Sequence, residues 1–171
     1  MNNNKACLIA PWRITGIKTQ GYNKGFTEEE ISQHSIGNRF AYQMCTLLFL
    51  TGIILTNIPI LIVASTVAFL AVVLPYHPFD YLYNAVIRHW FGRPRLPRRT
   101  NQAKFACGIA SVWILAIIYL IYADLLIGAY LLGGILLIVA LLVSVMDFCI
   151  PSMVYNMLFA RRKPVDQNFG N

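Results

Sequence analysis

The chain has 171 residues, of which 57% are apolar and only 12% are charged. A soluble domain needs a larger charged surface, so this composition excludes an ordinary globular protein in water and favours one solvated by lipid. A net charge of +7 would suggest nucleic-acid binding in a soluble protein. Here every basic residue lies next to an apolar stretch, so we expect orientation in the membrane and contact with anionic lipid, and no nucleic-acid partner.

Four apolar stretches contain no Asp, Glu, Lys, Arg or His and are long enough to cross a bilayer as helices: Phe40–Thr56, Ile58–Tyr76, Phe105–Tyr122 and Leu125–Met146. The 14 Lys and Arg lie before the first stretch, between the second and third, and after the fourth. Because basic loops stay in the cytoplasm, both termini and the middle loop are predicted to be cytoplasmic. The sequence thus predicts an all-α integral membrane protein with four transmembrane helices.

Short motifs recur along the chain. Phe-Ala follows a basic residue at Phe40 and again at Phe105, and Tyr-Asn follows the second and fourth stretches at Tyr83 and Tyr155. Two spans return the chain to its starting side, which predicts two tandem helical hairpins of the same orientation. Chance similarity between apolar segments is the alternative. The predicted parts are a cytoplasmic N-terminal segment with a short helix (1–37), the first hairpin and an arm (38–100), and the second hairpin with a basic cytoplasmic tail (101–171).

The arm follows the second stretch, and its apolar residues recur at helical spacing: Phe79, Leu82, Tyr83, Val86, Ile87 and Trp90. An aromatic face followed by an arginine-rich segment is typical of an amphipathic helix that lies along the membrane surface. Packing of this face on a partner or on the protein's own spans is the alternative. Thr27 and Glu30 have the spacing of a capping box, which predicts a short helix before the first span. Residues 1–26 show no pattern.

The fourth predicted span carries a stripe of small residues: Ala129, Gly133, Ala140 and Ser144. Small residues let helices approach closely in a membrane, so the stripe predicts a packing face. The stripe continues to Asp147, which would point into the bundle. An ionisable residue at the end of a span is a candidate functional group, but an ion pair with Arg39, Lys104 or Arg161 is the simpler expectation.

Three cysteines are predicted to lie near the cytoplasmic ends of spans, and a fourth precedes the first span: Cys45, Cys107, Cys149 and Cys7. On that reducing side they should be thiols, and the first three could converge at one depth. Cys149 and Ser152 have the spacing of a redox motif whose second cysteine is replaced, which makes Cys149, with Asp147 and Ser152, a candidate thiol site. Packing as small apolar residues is the alternative. No histidine has metal-ligand spacing to the cysteines, so no metal or cofactor is expected.

Several short motifs resemble a family of small bacterial integral-membrane proteins known as a domain of unknown function, DUF4395: Asn38-Arg39-Phe40-Ala41, Arg93-Pro94-Arg95-Leu96, Lys104-Phe105-Ala106 and Asp147-Phe148-Cys149. The resemblance covers roughly Ile36 to Arg162 and implies a four-span protein of the bacterial cytoplasmic membrane with no established activity. Members commonly close with a phenylalanine, a cysteine, two residues and a second cysteine, whereas this chain has Ser152 in the last place. Neighbouring thioredoxin-like or sulfur-transfer proteins, expected for the family, imply a thiol-linked role.

Two functions follow as expectations. The first is a non-catalytic accessory or scaffold subunit of a larger membrane complex, with other membrane proteins as partners. The second is a thiol-dependent carrier or redox partner that handles a small sulfur species at the cytoplasmic face of the membrane. An enzyme of a familiar membrane class is not expected, because the chain has no His-Glu-x-x-His motif, no phosphate loop and no clustered aspartates.

Overall fold

The computed structural model describes residues 9–22, 26–90 and 92–159, and within these ranges the chain is helical and has no strand. Cys7, the first eight residues and the basic tail after residue 159, including Arg161, lie outside the described part. Short turns and one extended segment connect the helices, which are α1 (Pro11–Thr19), α2 (Glu28–Ile54), α3 (Ile58–Val73), α4 (Pro78–Leu82), α5 (Arg88–Trp90), α6 (Asn101–Tyr122), α7 (Leu126–Met146) and α8 (Ile150–Phe159). The all-helical class predicted from the sequence is confirmed for the described residues.

Helix α2 begins at the predicted capping box. The side chain of Thr27 accepts a hydrogen bond from the Glu30 N–H (3.3 Å), and the Glu30 carboxylate accepts one from the Thr27 N–H (2.8 Å). The predicted short helix does not end before the first apolar stretch, because α2 runs without a break from Glu28 to Ile54. No proline interrupts this segment, and Gly37 is accommodated inside the helix, so helical hydrogen bonding continues into the apolar part.

Helices α2, α3, α6 and α7 form a bundle in which α3 packs against α6, α7 packs against α2, and each of these pairs also contacts the other. Ser65 on α3 and Ser111 on α6 bond reciprocally, since each hydroxyl donates to the other residue's carbonyl oxygen at 3.1–3.2 Å. Small side chains that bond across helices allow close backbone approach. Phe49, Ile53 and Leu61 contribute to an apolar core between these helices.

Two helices, α6 and α7, are long and apolar enough to cross a membrane. Helix α3 is shorter, and together with the helical segment Pro78–Trp90 it passes the same criterion as a pair bent by 79°. The structure thus contains two candidate membrane spans, or three if the bent pair counts as one span. This agrees with the prediction of a membrane protein. The tight connections at Asn57 and Asp124 also form, with Asn57 capping α3 by accepting a hydrogen bond from the Ile60 N–H (3.1 Å).

The arm is helical over Pro78–Trp90, as its spacing predicts, with a π-helical turn at Tyr83–Ile87 between α4 and α5. Its apolar residues do not share one exposed face. The Tyr83 side chain is buried against Gly37 of α2, and Phe79 stacks on His77. Leu82, Val86 and Trp90 are exposed, Trp90 to 82%, and Ile87 is half-buried. The arm therefore packs on the bundle through one side and leaves a second apolar side uncovered.

Candidate functional site

A cavity of about 340 Å³ lies inside the bundle between α2, α3, α6 and α7. On α6 its wall runs from Ala106 to Ile114 and on α7 from Ile135 to Val143. At 1.5 Å per residue, each wall is about 12 Å long. An engineered apolar cavity of about 150 Å³ is known to accept benzene, so this space, which we call the chamber, can accept a larger molecule.

The chamber exists because small residues face each other where larger ones would fill the bundle. Alanines line it from three helices: Ala64 and Ala68 on α3, Ala106 and Ala110 on α6, and Ala140 on α7. Protein interiors normally pack with few voids larger than a water molecule. Two packed clusters adjoin the chamber, one around Phe49 and Ile114 and the other around Tyr42 and Cys149.

All three described cysteines line the chamber. Cys45 comes from α2, Cys107 from α6, and Cys149 from the turn between α7 and α8, and each is a free thiol. The sequence indicated that these thiols could converge, and the structure places them in the wall of one cavity. Burial raises the pKa of the Cys149 thiol, and the hydrogen bond that the Ser152 hydroxyl donates to its sulfur (3.1 Å) opposes this rise.

His77 also lines the chamber, and the sequence did not single it out because histidines were considered only as metal ligands. Its Nδ1 accepts a hydrogen bond from the Phe79 N–H (3.2 Å), so the neutral ring carries its proton on Nε2. That Nε2 lies 3.4 Å from the sulfur of Cys45. Burial, together with the nearby Arg99 cation, lowers the pKa of His77 to about 4, so the ring is neutral near pH 7.

A buried ion pair positions His77. The Arg99 guanidinium donates two hydrogen bonds to the Asp80 carboxylate (2.6 and 2.7 Å) and a third to the side-chain oxygen of Asn38 on α2 (2.6 Å). Asp80 also accepts a hydrogen bond from the backbone N–H of His77 (3.0 Å), which completes a capping box at the start of α4. The cation lies 5.0 Å from the ring centre of Tyr42, whose ring is part of the chamber wall.

Asp147 is fully buried at the end of α7, in a left-handed backbone conformation with φ of 58°. One carboxylate oxygen accepts a hydrogen bond from Arg13 of α1 (2.8 Å), and the other lies 3.7 Å from Arg39. Arg39 was among the expected ion-pair partners, whereas Arg13 was missed because residues 1–26 showed no pattern. Burial raises the pKa of Asp147, and the two arginines oppose the rise. Asp147 does not line the chamber, so its place in the candidate thiol site with Cys149 stays a prediction.

Helix α1 is tied to the same end of the bundle. Gln20, fully buried, donates to the Asp147 carbonyl oxygen (2.8 Å), and its own side-chain oxygen accepts from Asn38 and from the Tyr42 hydroxyl (both 3.3 Å). A methyl group added to Gly16 would lie 2.6 Å from the same Asp147 carbonyl, so the backbones are in close contact. The polar end of Tyr42 is thereby satisfied outside the chamber.

The small residues predicted to pack on α7 are distributed between packing and the chamber. Ala129 and Gly133 are buried, and Gly133 lies against Ile53 of α2. Ala140 lines the chamber, and Ser144 is buried with its carbonyl oxygen accepting a hydrogen bond from Arg39 (3.2 Å). Among the residues that the structure describes, no group of three His, Cys, Asp or Glu side chains is placed to hold a metal ion.

Comparison with known proteins identifies a family. The family model described as "Domain of unknown function (DUF4395)" matches residues 36–160, and the chain belongs to this family. The matched range includes every described residue that lines the chamber and leaves α1 outside. No curated protein and no solved structure matches the chain.

Proposed function

We propose that this member of the DUF4395 family is a thiol-dependent carrier, which holds a small, uncharged sulfur species in the chamber of a four-helix transmembrane bundle. The observation that carries the proposal is the placement of Cys45, Cys107 and Cys149 in the wall of one cavity. Thiols are polarizable and react with sulfur compounds, so three of them around one void suit a sulfur-containing ligand.

The four spans are α2, α3, α6 and α7, paired as two hairpins of the same orientation, with both termini on the cytoplasmic face of a bacterial membrane. Large apolar side chains cover the outside of the bundle, for example Phe69 on α3, Val112 on α6 and Ile138 on α7, each more than half exposed. A soluble protein rarely exposes so continuous an apolar surface, whereas lipid solvates it. This surface supports the proposed topology.

The arm would rest on the cytoplasmic membrane surface. Its uncovered side presents Leu82, Val86 and Trp90, and the segment that follows contains the exposed Arg95 and Arg98. Aromatic and aliphatic side chains next to arginines suit the headgroup region of a membrane that contains anionic lipid. We propose anionic lipid as the partner of this side.

The chamber selects for an uncharged molecule, because none of the described residues that line it is Asp, Glu, Lys or Arg. A charged ligand would lose its hydration without gaining an opposite charge, which costs several kcal/mol. The hydroxyl groups of Tyr42 and Thr46 are already engaged, with Gln20 and with the Tyr42 carbonyl oxygen. The thiols and the Nε2–H of His77 are therefore the polar groups that a ligand would meet.

The test is access of small reagents to the thiols in native membranes. Uncharged methyl methanethiosulfonate should label Cys107, whereas its trimethylammonium analogue should not. Ala110→Leu fills the chamber wall on α6 and should slow this labelling several-fold. The matched control is Ala116→Leu on the exposed side of the same helix, which should leave the rate unchanged. Equal labelling of the two variants, or equal reaction with both reagents, would contradict the proposal.

The role of a non-catalytic accessory subunit in a larger membrane complex stays a second prediction. Purification in mild detergent followed by identification of co-purifying chains tests it. Recovery of one partner at a fixed ratio, together with unchanged thiol labelling in Ala110→Leu, would favour that role over the carrier.

A further inference from the structure

The two ends of the chamber differ in their chemistry. At one end the sulfur of Cys45 lies 3.4 Å from Nε2 of His77. Tyr42, one turn before Cys45 on α2, packs in one cluster with Cys149. The residue before Cys107 borders the same cluster. The thiols and the imidazole of the described chamber wall therefore lie together, at what we call the thiol end.

The opposite end presents hydrocarbon to a ligand. Phe49, Ala64 and Ile114 pack there in one cluster, and all three belong to the chamber wall. Trp113 also lines this part, but its indole N–H donates to the Leu132 carbonyl oxygen (3.1 Å) and is not available to a ligand. We call this part of the wall the apolar end.

The helices hold the two ends apart. Cys107 at the thiol end and Ile114 at the apolar end are two turns apart on α6, about 10 Å along the helix axis. Helix α3 contributes Ala64 to the apolar end, and the chain after it supplies His77 to the thiol end. A ligand that fills the chamber thus has one end among thiols and an imidazole N–H, and the other end against hydrocarbon.

We infer that the ligand of the chamber is an alkyl thiol, an uncharged molecule whose sulfur lies at the thiol end and whose hydrocarbon chain fills the apolar end. The inference rests on the proposed function in one respect, that the ligand is a sulfur compound. A thiol is a weak donor and a weak acceptor, so it suits an end formed by other thiols and one imidazole N–H. A molecule as small as hydrogen sulfide would leave the apolar end empty, and the lining of an empty space lacks dispersion contacts.

The experiment uses alkyl methanethiosulfonates, which transfer an S-alkyl group to a thiol, as probes of the full-length protein in membranes. The methyl, octyl and hexadecyl reagents are compared at equal concentrations in the membrane, and modification of Cys107 is followed by mass spectrometry. An octyl chain fits along the chamber, whereas a hexadecyl chain is longer than its wall of about 12 Å. The octyl reagent should therefore react several-fold faster than the hexadecyl reagent.

Ala64→Leu separates the two ends, because it adds three carbon atoms at the apolar end and leaves the thiol end unchanged. Extra carbon atoms in a space that the octyl chain already fills should slow the octyl reaction by about tenfold. The methyl reagent should react at an unchanged rate, since it does not reach the apolar end. The matched control is Ala116→Leu on the exposed side of α6, which should change neither rate.

The comparison of the octyl and hexadecyl reagents in the unaltered chain decides the inference even if Ala64→Leu fails to fold. Equal rates for these two reagents would place the alkyl chain outside the chamber and overturn the inference. Equal slowing of the methyl and octyl reagents in folded Ala64→Leu would also overturn it. In both cases labelling by the methyl reagent leaves the proposed function standing. If the methyl reagent modifies Cys107 only after denaturation, the proposed function fails as well.

Discussion

The Asp80–Arg99 ion pair offers a sharp test of the reasoning, because both side chains are almost completely buried, with 1% and 3% of their surfaces exposed. Asp80→Ala removes two charged hydrogen bonds from Arg99 and one backbone hydrogen bond from His77. The guanidinium keeps one bond, to Asn38, but loses its counter-charge. Removing one partner of a buried ion pair lowers the free energy of unfolding by about 3–5 kcal/mol. Total stability is typically about 5–15 kcal/mol, so the loss should be large.

The assay is denaturant unfolding of the protein in detergent micelles, followed by circular dichroism. Lys18→Ala is the matched control, because the Lys18–Glu28 pair has a similarly short contact, 2.8 Å against 2.6 Å in the buried pair, but is 40% and 59% exposed. An exposed pair contributes less than about 1 kcal/mol. Replacing both buried partners, as Asp80→Ala with Arg99→Met, should cost less than the sum of the single changes, since no unpaired charge is left.

Two results would refute this account of the ion pair. One is a loss of stability in Asp80→Ala no greater than that in Lys18→Ala. The other is strict additivity of Asp80→Ala and Arg99→Met, which would show that the two side chains do not interact in the folded protein.

Three further predictions concern pH, packing and topology. Burial lowers the pKa of His77 to about 4, below the unfolded value of about 6.5. The buried neutral ring therefore contributes roughly 3 kcal/mol to the free energy of unfolding above pH 6.5, and this contribution should be lost as the pH falls from about 6.5 to about 4. An equal pH dependence of stability in His77→Gln would contradict this. Gly133→Ala should destabilise, because the added methyl group meets Ile53 at 3.0 Å, whereas Gly134→Ala, with open space around it, should be neutral or stabilising; equal effects would contradict the α2–α7 packing. A reporter active only outside the cytoplasm should give signal when fused at Asn57 and none at Arg98, and the reverse pattern would invert the topology.

Local sequence patterns were sufficient to predict several of the helices. Apolar stretches without charge predicted α6 and α7, helical spacing predicted the helix at Pro78–Trp90, and the Thr27–Glu30 spacing predicted the start of α2. Each of these features depends on residues within a few turns of one another, so the residues that decide them are adjacent in the sequence. Helix α1 was not predicted, because its residues show no amphipathic pattern. Its contacts are made in the folded chain, through the apolar cluster of Ile14 and Ile17 with Ile31 and the ion pair of Arg13 with Asp147.

The chamber and its chemistry depend on residues that are far apart along the chain. Cys45 and His77 are brought together by the turn at Asn57 and the break after α3, and Cys149 reaches the same wall through the turn after α7. Composition and spacing by themselves predicted a helical, lipid-solvated chain, because burial of apolar helices in a membrane requires only local patterns. The family was indicated by short motifs, and the family model confirmed it. Only the tertiary packing decided that Cys45 faces the His77 ring and that alanines on three helices leave a void, since a cavity is a property of side chains that meet across helices.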